Sequence, residues 1–303
     1  MAVVVTGSAG FLGRAVVARL LAAGRDVVGI DRRPALPLGP GHSELHVDLV
    51  GPDLRAVDAI RESSGVIHLA GCPGIRDSRA DIAWHRHHDN VLTTAAVLAA
   101  AGSRVTVVVA TSSSIYGGSV AGRPCLETDL LRPRGGYALS KTAAETLCRD
   151  HNETGGRVVI ARPFTVAGEG QRPDMALATW IDAARAGRPL RVLGGPDRTR
   201  DVTDVRDAAR ALVALLDADE PGPVNIGTGV PVTLAALIDA VAAALDVDVR
   251  VRVEPAGPEE VANTRADTRR LASLVGFVPV TDLADVIGRQ IGESVAESGQ
   301  VPA

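Results

Sequence analysis

The sequence predicts an α/β fold in which a doubly wound parallel sheet is followed by a smaller C-terminal domain. Short, continuous apolar runs alternate with segments of helical periodicity through the first half of the 303 residues. A glycine-rich turn separates the first apolar run from the first helical segment. Continuous apolar strands that alternate with helices are typical of a parallel sheet covered on both faces.

The elements of the first half follow from these apolar runs and the residues that flank them. The runs are too short and too rich in β-branched residues for helices, and the first helix stops at Gly24, a typical C-terminal cap. A strand, a helix and a second strand within about 30 residues form one right-handed parallel unit. We predict strands at residues 1–6, 27–30, 65–70, 105–111 and 157–161, and helices at residues 14–23, 82–101 and 137–149.

After Pro163 the pattern changes to loops rich in proline and glycine with shorter elements between them. We predict these elements at residues 175–186, 205–216, 233–245, 249–253 and 267–276. The chain should therefore divide into a first domain over residues 1–163, with a returning segment around residues 200–226, and a second domain mainly over residues 164–303.

Composition excludes several functional classes. The net charge of -4 argues against a nucleic-acid surface, which needs a basic patch. The longest apolar runs fall short of the roughly 20 residues of a membrane span, and no basic segment of a secretion signal opens the chain. Cys72, Cys125 and Cys148 show no CxxC spacing, so we expect buried thiols rather than a disulfide framework or a zinc site. We expect a cytoplasmic protein with a small partner and no membrane contact.

Histidines at residues 85, 87 and 88 flank Arg86 and raise the question of a metal site. No upstream carboxylate pattern accompanies them, so a polar helix face is the better interpretation. We therefore predict no metal.

The glycine-rich turn reads Gly7-Ser8-Ala9-Gly10-Phe11-Leu12-Gly13. Between a strand and a helix, its backbone N–H groups and the positive helix end can face a pyrophosphate. Asp31 ends the second strand, where a carboxylate can accept hydrogen bonds from a ribose diol and repel a 2′-phosphate. This arrangement favours NAD as the cofactor, although Arg32 and Arg33 leave a 2′-phosphate, and so NADP, as an alternative.

Lys141 is the only lysine in a chain with 32 basic residues, and it follows Tyr137 by four positions. Because every other basic residue is an arginine, a single lysine indicates a position where a guanidinium cannot replace the ammonium group. On a helix the two residues share a face, so the ammonium charge favours the phenolate. Tyr137 could then act as a general base toward a hydroxyl. A half-buried packing tyrosine is the structural alternative.

Three segments together resemble the extended short-chain dehydrogenase/reductase superfamily, in particular its NAD-dependent epimerase/dehydratase members. They are the GxxGxxG spacing at residues 7–13, the YALSK segment at 137–141 and the TSSSIYG strand end at 111–117. The resemblance implies a Rossmann domain that binds the dinucleotide, a C-terminal substrate-binding domain, a homodimer, and catalysis by Ser112, Tyr137 and Lys141. The cofactor contacts that it implies are Gly7, Gly10, Phe11, Leu12, Gly13, Asp31, Arg32, Asp48, Leu49, Leu69, Ala70, Tyr137 and Lys141.

Residues 162–176 read RPFTVAGEGQRPDMA and are similar to a segment of the UDP-glucuronate 4-epimerases. The resemblance implies that Thr165 and Arg172 hold a sugar carboxylate, to which an arginine can donate two hydrogen bonds. It also implies that Arg200 meets a nucleotide phosphate. Ser113 and Ser114 would line the substrate, and they stand where sugar-nucleotide dehydratases carry Asp and Glu, which disfavours a dehydratase.

We therefore predict an NAD-dependent 4-epimerase that interconverts UDP-glucuronate and UDP-galacturonate through a 4-keto intermediate. A UDP-glucose-type 4-epimerase is one alternative, and a UDP-glucuronate decarboxylase or 4-ketoreductase is another. A non-catalytic NAD-binding sensor belongs to a different functional class and would not need Ser112, Tyr137 and Lys141 together.

Overall fold

A computed structural model describes residues 1–120 and 122–298, with side chains described through residue 292. The strands are β1 (Val3–Thr6), β2 (Val27–Asp31), β3 (His42–His46), β4 (Gly65–His68), β5 (Val107–Ala110), β6 (Val158–Pro163), β7 (Thr165–Ala167), β8 (Leu190–Leu193), β9 (Thr199–Arg200), β10 (Val202–Asp204), β11 (Gly222–Ile226), β12 (Val232–Thr233) and β13 (Val251–Glu254).

The α-helices are α1 (Phe11–Ala22), α2 (Arg55–Arg61), α3 (Ile82–Arg86), α4 (Thr93–Ala101), α5 (Gly135–Glu153), α6 (Ala176–Arg185), α7 (Val205–Ala218), α8 (Leu234–Leu245), α9 (Arg269–Val275) and α10 (Leu283–Ser298). A π-helix over His87–Leu92 joins α3 to α4, and a short 3₁₀ helix covers Ser113–Tyr116.

Seven strands form the central sheet in the order β11-β6-β5-β4-β1-β2-β3, and every neighbouring pair is parallel. The predicted α/β class with a parallel Rossmann sheet is therefore confirmed. Outside this sheet, β7 pairs with β10 between β6 and β11, and β8 pairs with β13, which follows β11 in the chain. The division into a dinucleotide-binding domain and a substrate-binding domain stays a proposal.

The sheet is apolar on both faces because helices cover both of them. In β1, Val3 and Val5 pack into one core together with α1 and α7, whereas Val4 packs into a second core with α2 and α4. This two-sided burial explains why β1 shows a continuous apolar run instead of alternation. A third core lies among α6, α8, α10 and β8, outside the central sheet.

The first half differs from the predicted elements in several features, and the short helix α2 (Arg55–Arg61) lies where no element was predicted. The edge strand β3 was not predicted, because its sequence HSELH is polar and it pairs on one side only, with β2. The helix predicted at residues 82–101 is confirmed in extent but contains a π turn, where Asn90 bonds the backbone of Cys72. One extra residue in a turn leaves the apolar pattern almost unchanged, so the sequence carries no signal for it.

A buried ion pair ties α5 to β6. Glu145 and Arg162 are both almost completely buried, and Arg162 Nε donates to Glu145 Oε2 at 3.0 Å. Arg162 Nη1 also donates to the Tyr116 hydroxyl (2.7 Å), which in turn donates to Asn225 Oδ1 (2.7 Å) on β11. Burial would raise the pKa of Glu145, but Arg162 and Arg149 reverse that effect and hold the pKa below its ordinary value. The network thus links α5, β6 and β11.

Substituting Glu145→Gln should strongly destabilise the protein, because it leaves the Arg162 guanidinium buried without a counter-charge. We expect the free energy of unfolding at pH 7 to fall by about 3–5 kcal/mol. The measurement is urea unfolding followed by circular dichroism. Asp182→Asn is the matched control, since the Arg188–Asp182 pair is exposed and should contribute less than about 1 kcal/mol. Equal losses in the two variants would contradict the role assigned to the buried pair.

Candidate active site

The glycine-rich turn lies between β1 and α1 and packs directly on the segment after β4. Gly7 has φ +71°, and a Cβ on it would lie 2.7 Å from the Ala70 backbone nitrogen. A Cβ on Gly13 would overlap the Gly7 carbonyl oxygen. Gly10 is the N-cap of α1 and supplies no side-chain hydrogen bond, so the first N–H groups of this helix are left without a side-chain cap. This cradle fits the pyrophosphate of a dinucleotide.

Asp31 at the end of β2 faces this turn. Its carboxylate accepts hydrogen bonds from the backbone nitrogens of Ala9 (3.1 Å) and Arg33 (2.9 Å), and the Arg33 side chain pairs with it at 3.4 Å. Arg32 turns the other way and donates to Asp89 Oδ2 at 2.7 Å. Arg32 is thus engaged by Asp48 and Asp89, whereas Arg33 is paired with Asp31 itself. The arrangement favours a free 2′-hydroxyl over a 2′-phosphate.

The remaining residues predicted to contact the cofactor lie along the same edge of the sheet. The backbone nitrogens of Leu69 and Ala70 donate to Thr6 Oγ1 at 3.2 and 3.3 Å, which holds the segment after β4 against β1. Asp48 and Leu49 follow β3, with Asp48 Oδ2 lying 3.7 Å from Arg32 Nη1. Phe11 and Leu12 form the half-buried first turn of α1.

Ser112, Tyr137 and Lys141 come together beyond the end of β5. The Ser112 hydroxyl accepts a hydrogen bond from the Ser114 nitrogen (3.1 Å), which caps the 3₁₀ helix, and it also faces the Tyr137 phenol. Lys141 is buried one turn along α5, and its Nζ donates to the Ala110 carbonyl oxygen at 3.1 Å. Burial lowers the pKa of Lys141 to about 8.

The electrostatics of the phenol differ from the sequence-based expectation. Burial raises the pKa of Tyr137, while the Ser112 hydroxyl and the charges of Arg172 and Arg86 act in the opposite direction. Arg172 and Arg86, rather than Lys141, are the cations that act most strongly on this phenol. The Lys141 ammonium donates a hydrogen bond to the Ala110 carbonyl oxygen. The direct support of the phenolate by Lys141 remains a prediction.

The structure brings Arg172 to the same site. Its guanidinium donates two hydrogen bonds to Asp174 (2.9 and 2.8 Å), and its charge lowers the pKa of Tyr137. It also lies close to the loop after β4, because a Cβ on Gly74 would be 3.8 Å from Arg172 Nη2. Thr165 lies in β7, paired with Val202 of β10.

Two serines of the 3₁₀ helix, Ser113 and Ser114, follow Ser112 directly. Ser114 Oγ is a buried hydroxyl without a hydrogen-bond partner among residues 1–120 and 122–298. A buried unpartnered hydroxyl is costly to the fold, so it suits a polar ligand group.

Arg200 of β9 has a different environment from Arg172. It donates to the carbonyl oxygens of Thr199 (2.8 Å), Ala262 (3.0 Å) and Val261 (3.0 Å), and it lies 3.8 Å from Glu260. Burial lowers its pKa. These contacts hold Arg200 against residues 260–262, and its predicted phosphate contact remains a proposal.

Comparison with known proteins identifies the family. A model described as the NAD dependent epimerase/dehydratase family matches residues 3–227. The chain belongs to this family. The predicted superfamily, an enzyme of the epimerase class and NAD as the cofactor are thereby confirmed.

Several relatives of this epimerase-family protein span its whole length. MoeE5, solved with UDP-glucuronic acid and NAD and with UDP-glucose and NAD, is 36% identical, covers 98% of this chain and 100% of its own, and has a TM-score of 0.87. UDP-glucuronic acid 4-epimerase from Bacillus cereus, solved with UDP-glucuronic acid and NAD, is 26% identical and has a TM-score of 0.89. The match covers 98% of this chain and 100% of the epimerase. UDP-glucose 4-epimerase of Mycolicibacterium smegmatis is 30% identical over 96% of this chain and 97% of the relative.

Sequence reasoning missed two site residues of this epimerase-family protein. Glu44 of β3 accepts a hydrogen bond from Ser8 Oγ at 2.8 Å and so places a second carboxylate under the glycine-rich turn. Glu260 pairs with Arg76 at 2.5 Å and thereby joins the loop after β4 to the C-terminal part of the chain. Both contacts join segments far apart in the chain, and neither residue belongs to a local motif.

The three cysteines of the epimerase-family protein are free and buried, as predicted. In the described part of the chain, no group of three histidine, cysteine or acidic residues could hold a metal ion. His85 and His88 instead contact Asp81 and Asp89, and Trp84 stacks on His88. None of the helices that the structure describes has the length and apolar composition needed to cross a membrane.

Burial should keep both tyrosines of the unliganded protein protonated up to pH 10. Tyr116 and Tyr137 are the only tyrosines, and burial raises the pKa of each. An exposed tyrosine is half ionised near pH 10, so we expect well under half of the full phenolate absorbance there. Ultraviolet titration measures it, with the urea-unfolded protein at the same pH as the control. Half or more of the full signal in the folded protein would contradict the burial effect.

Proposed function

We propose that the protein interconverts UDP-glucuronate and UDP-galacturonate as an NAD-dependent 4-epimerase. The observation that supports this proposal most directly is the position of Arg172, a cation beside the Tyr137 phenol and close to Gly74. A planar guanidinium at this place suits the carboxylate of a uronate, to which it can donate two hydrogen bonds. The complexes of MoeE5 and of the B. cereus epimerase with UDP-glucuronic acid support the same substrate class.

Tyr137 serves as the general base for the sugar 4-hydroxyl. The phenolate takes the hydroxyl proton, and the O–H electron pair forms the carbonyl bond as the C4 hydrogen leaves as hydride. Acceptance of that hydride and its return to the opposite face is the chemistry that NAD supplies when bound. Ser112 hydrogen-bonds the reacting oxygen, and Tyr137 gives the proton back after the 4-keto sugar has turned over.

A uronate places a second demand on the site. Its 4-keto intermediate is a β-keto acid, which loses carbon dioxide when the bond to the carboxylate aligns with the ketone π system. Arg172, Thr165 and the serines after Ser112 would hold that bond out of alignment. The buried, unpartnered Ser114 hydroxyl supports this assignment, because it can donate to a substrate oxygen. Firm holding of the carboxylate favours epimerisation over decarboxylation.

A UDP-glucose 4-epimerase is the second candidate. It is favoured by the complex of MoeE5 with UDP-glucose and by the M. smegmatis relative. With a neutral hexose, Arg172 would keep Asp174 as its one carboxylate partner among the described side chains, whereas a uronate would add a second one. The two candidates therefore differ in how much binding depends on Arg172.

The setting that we propose for the enzyme is a cytoplasmic homodimer. Three free cysteines suit a reducing compartment. Trp84, Leu92 and Leu139 are exposed apolar side chains on α3, the adjoining π-helix and α5, which contact one another. Exposed apolar side chains on neighbouring helices suit an interface with a second copy of the chain.

Substituting Tyr137→Phe should abolish turnover without loss of NAD binding. Removal of a general base lowers kcat by about 10²–10⁴-fold. The measurement is conversion of UDP-glucuronate followed by NMR, together with NAD binding by calorimetry. Tyr116→Phe is the control, since Tyr116 lies in the buried Arg162 network and should keep most activity. Unchanged turnover in Tyr137→Phe would contradict the proposal and would favour a non-catalytic sensor.

Substituting Arg172→Gln should separate the two candidate substrates. Loss of charge-assisted hydrogen bonds should weaken UDP-glucuronate binding by about 2–3 kcal/mol, whereas UDP-glucose binding should change little. Calorimetry on the NAD-loaded protein measures both affinities. Arg188→Gln is the matched control, an exposed arginine that is likewise paired with an aspartate. Equal losses for the two nucleotides would contradict a role of Arg172 in carboxylate binding.

A further inference from the structure

Arg86, the last residue of α3, is a buried arginine without a counter-charge. Its exposed fraction is 9%. No carboxylate among the described side chains lies within ion-pair distance of it, and its Nε is buried without a hydrogen-bond partner in the same part of the chain. The other buried arginine, Arg162, is paired with Glu145. A guanidinium does not lose its proton in proteins, so Arg86 carries a full positive charge into the interior.

One side of the Arg86 guanidinium holds the loop after β4. Nη2 donates to the backbone carbonyl oxygens of Gly74 (2.9 Å), Ile75 (3.4 Å) and Asp77 (3.3 Å). These hydrogen bonds leave the charge uncompensated, because carbonyl groups are neutral. The same loop approaches Arg172 at Gly74, so it borders the site.

The other side of the guanidinium lies against the residue before Tyr137. A Cβ on Gly136 would lie 2.6 Å from Arg86 Nη1, so the guanidinium lies directly against this glycine. The Arg86 charge therefore lies close to the start of α5, and it lowers the pKa of Tyr137. Contact with the loop and contact with α5 are made by one side chain.

Other charged and polar groups also lie around the phenol. Ser112, Arg172 and Cys72 also face Tyr137. Arg172 shares its charge with Asp174, and Lys141, on the same helix as the phenol, donates to the Ala110 carbonyl. Asp89, on the π-helix that follows Arg86, pairs with Arg32 and His88 instead of Arg86. Asp77 is the carboxylate in the adjoining loop that interacts with the Arg86 charge, but its ion pair is with Arg79. Arg86 is thus a positive charge near the phenol that forms no ion pair with a described carboxylate.

We propose that Arg86 is a positioning residue for the proton transfer: its charge, which forms no ion pair with a described side chain, favours the ionised form of Tyr137, and its hydrogen bonds hold residues 74–77 against the site. This inference rests on the proposed function, in which Tyr137 removes the proton from the 4-hydroxyl. In that step the phenolate oxygen gains the proton and its negative charge disappears. Arg86 stabilises the phenolate before the step and so increases the fraction of enzyme ready to react.

The first test is the pH profile of kcat/KM for UDP-glucuronate in Arg86→Gln and Arg86→Lys. In Arg86→Gln the rising limb of the profile should shift to higher pH by about one unit. At pH values below the midpoint of this limb, kcat/KM should therefore fall about tenfold. Arg86→Lys keeps the charge and should restore the position of the limb. Arg61→Gln is the control, since Arg61 is an exposed arginine on α2 and its loss changes the net charge equally. Its profile should match that of the unchanged protein.

The second test does not depend on turnover. Ultraviolet titration of the NAD-loaded protein, minus the same titration of Tyr137→Phe, isolates the phenolate signal of Tyr137. The midpoint of this signal should rise in Arg86→Gln and return toward the original value in Arg86→Lys. Arg86→Met, an apolar side chain of similar length, is the second charge-free variant if the glutamine variant does not fold, and its midpoint should rise as well.

Three results would overturn the inference. They are an unchanged limb and midpoint in the charge-free variants, a lysine variant shifted as far as the glutamine variant, and a uniform loss of kcat with the limb unmoved. The last result would indicate a merely structural role in holding the loop. Failure of the proposed function is distinguishable, because it would appear as turnover retained in Tyr137→Phe, whatever the Arg86 variants do.

Discussion

Parallel pairing of β1, β4 and β5 is the constraint on which the candidate site depends. Strands that run in parallel end at the same edge of a sheet, so the segments that follow them meet there. Gly7 follows β1, Ala70 follows β4 and Ser112 follows β5. The first two meet so closely that only glycine fits at position 7, where a Cβ would lie 2.7 Å from the Ala70 nitrogen. The cradle and the reacting groups take their positions from this contact.

Buried charges occur in two arrangements in this structure, one a neutralised ion pair and the other an excess of cations. Glu145 and Arg162 neutralise each other and connect α5, β6 and β11, so their charges serve the position of the elements. At the candidate site the balance is positive, because Arg172 and Arg86 act on a phenol whose pKa burial has raised. A phenol in such surroundings needs cations to ionise near neutrality. The excess of positive charge there is consistent with a base that works as a phenolate on an anionic substrate.

Local signals account for what could be predicted from the chain. The glycine-rich turn, the apolar strands and the placement of Tyr137 and Lys141 on one helix all depend on residues close together in sequence, and the structure shows each as expected. The strand β3 escaped prediction because an edge strand with polar residues carries little pattern. The π turn at His87–Leu92 escaped because one inserted residue hardly alters an apolar period.

The parallel sheet with its covering helices, the glycine-rich turn at Gly7, Gly10 and Gly13, and the prediction of NAD from Asp31 were already contained in the linear chain, because short-range periodicity and residue type express them. The interaction partners of the charged side chains were decided only by the tertiary structure. Whether Lys141 points to the phenol or to the Ala110 carbonyl, and whether Arg86 meets a carboxylate, depends on segments that fold together from distant parts of the chain. Charge interactions vary with distance and burial, and both quantities exist only after the chain has packed.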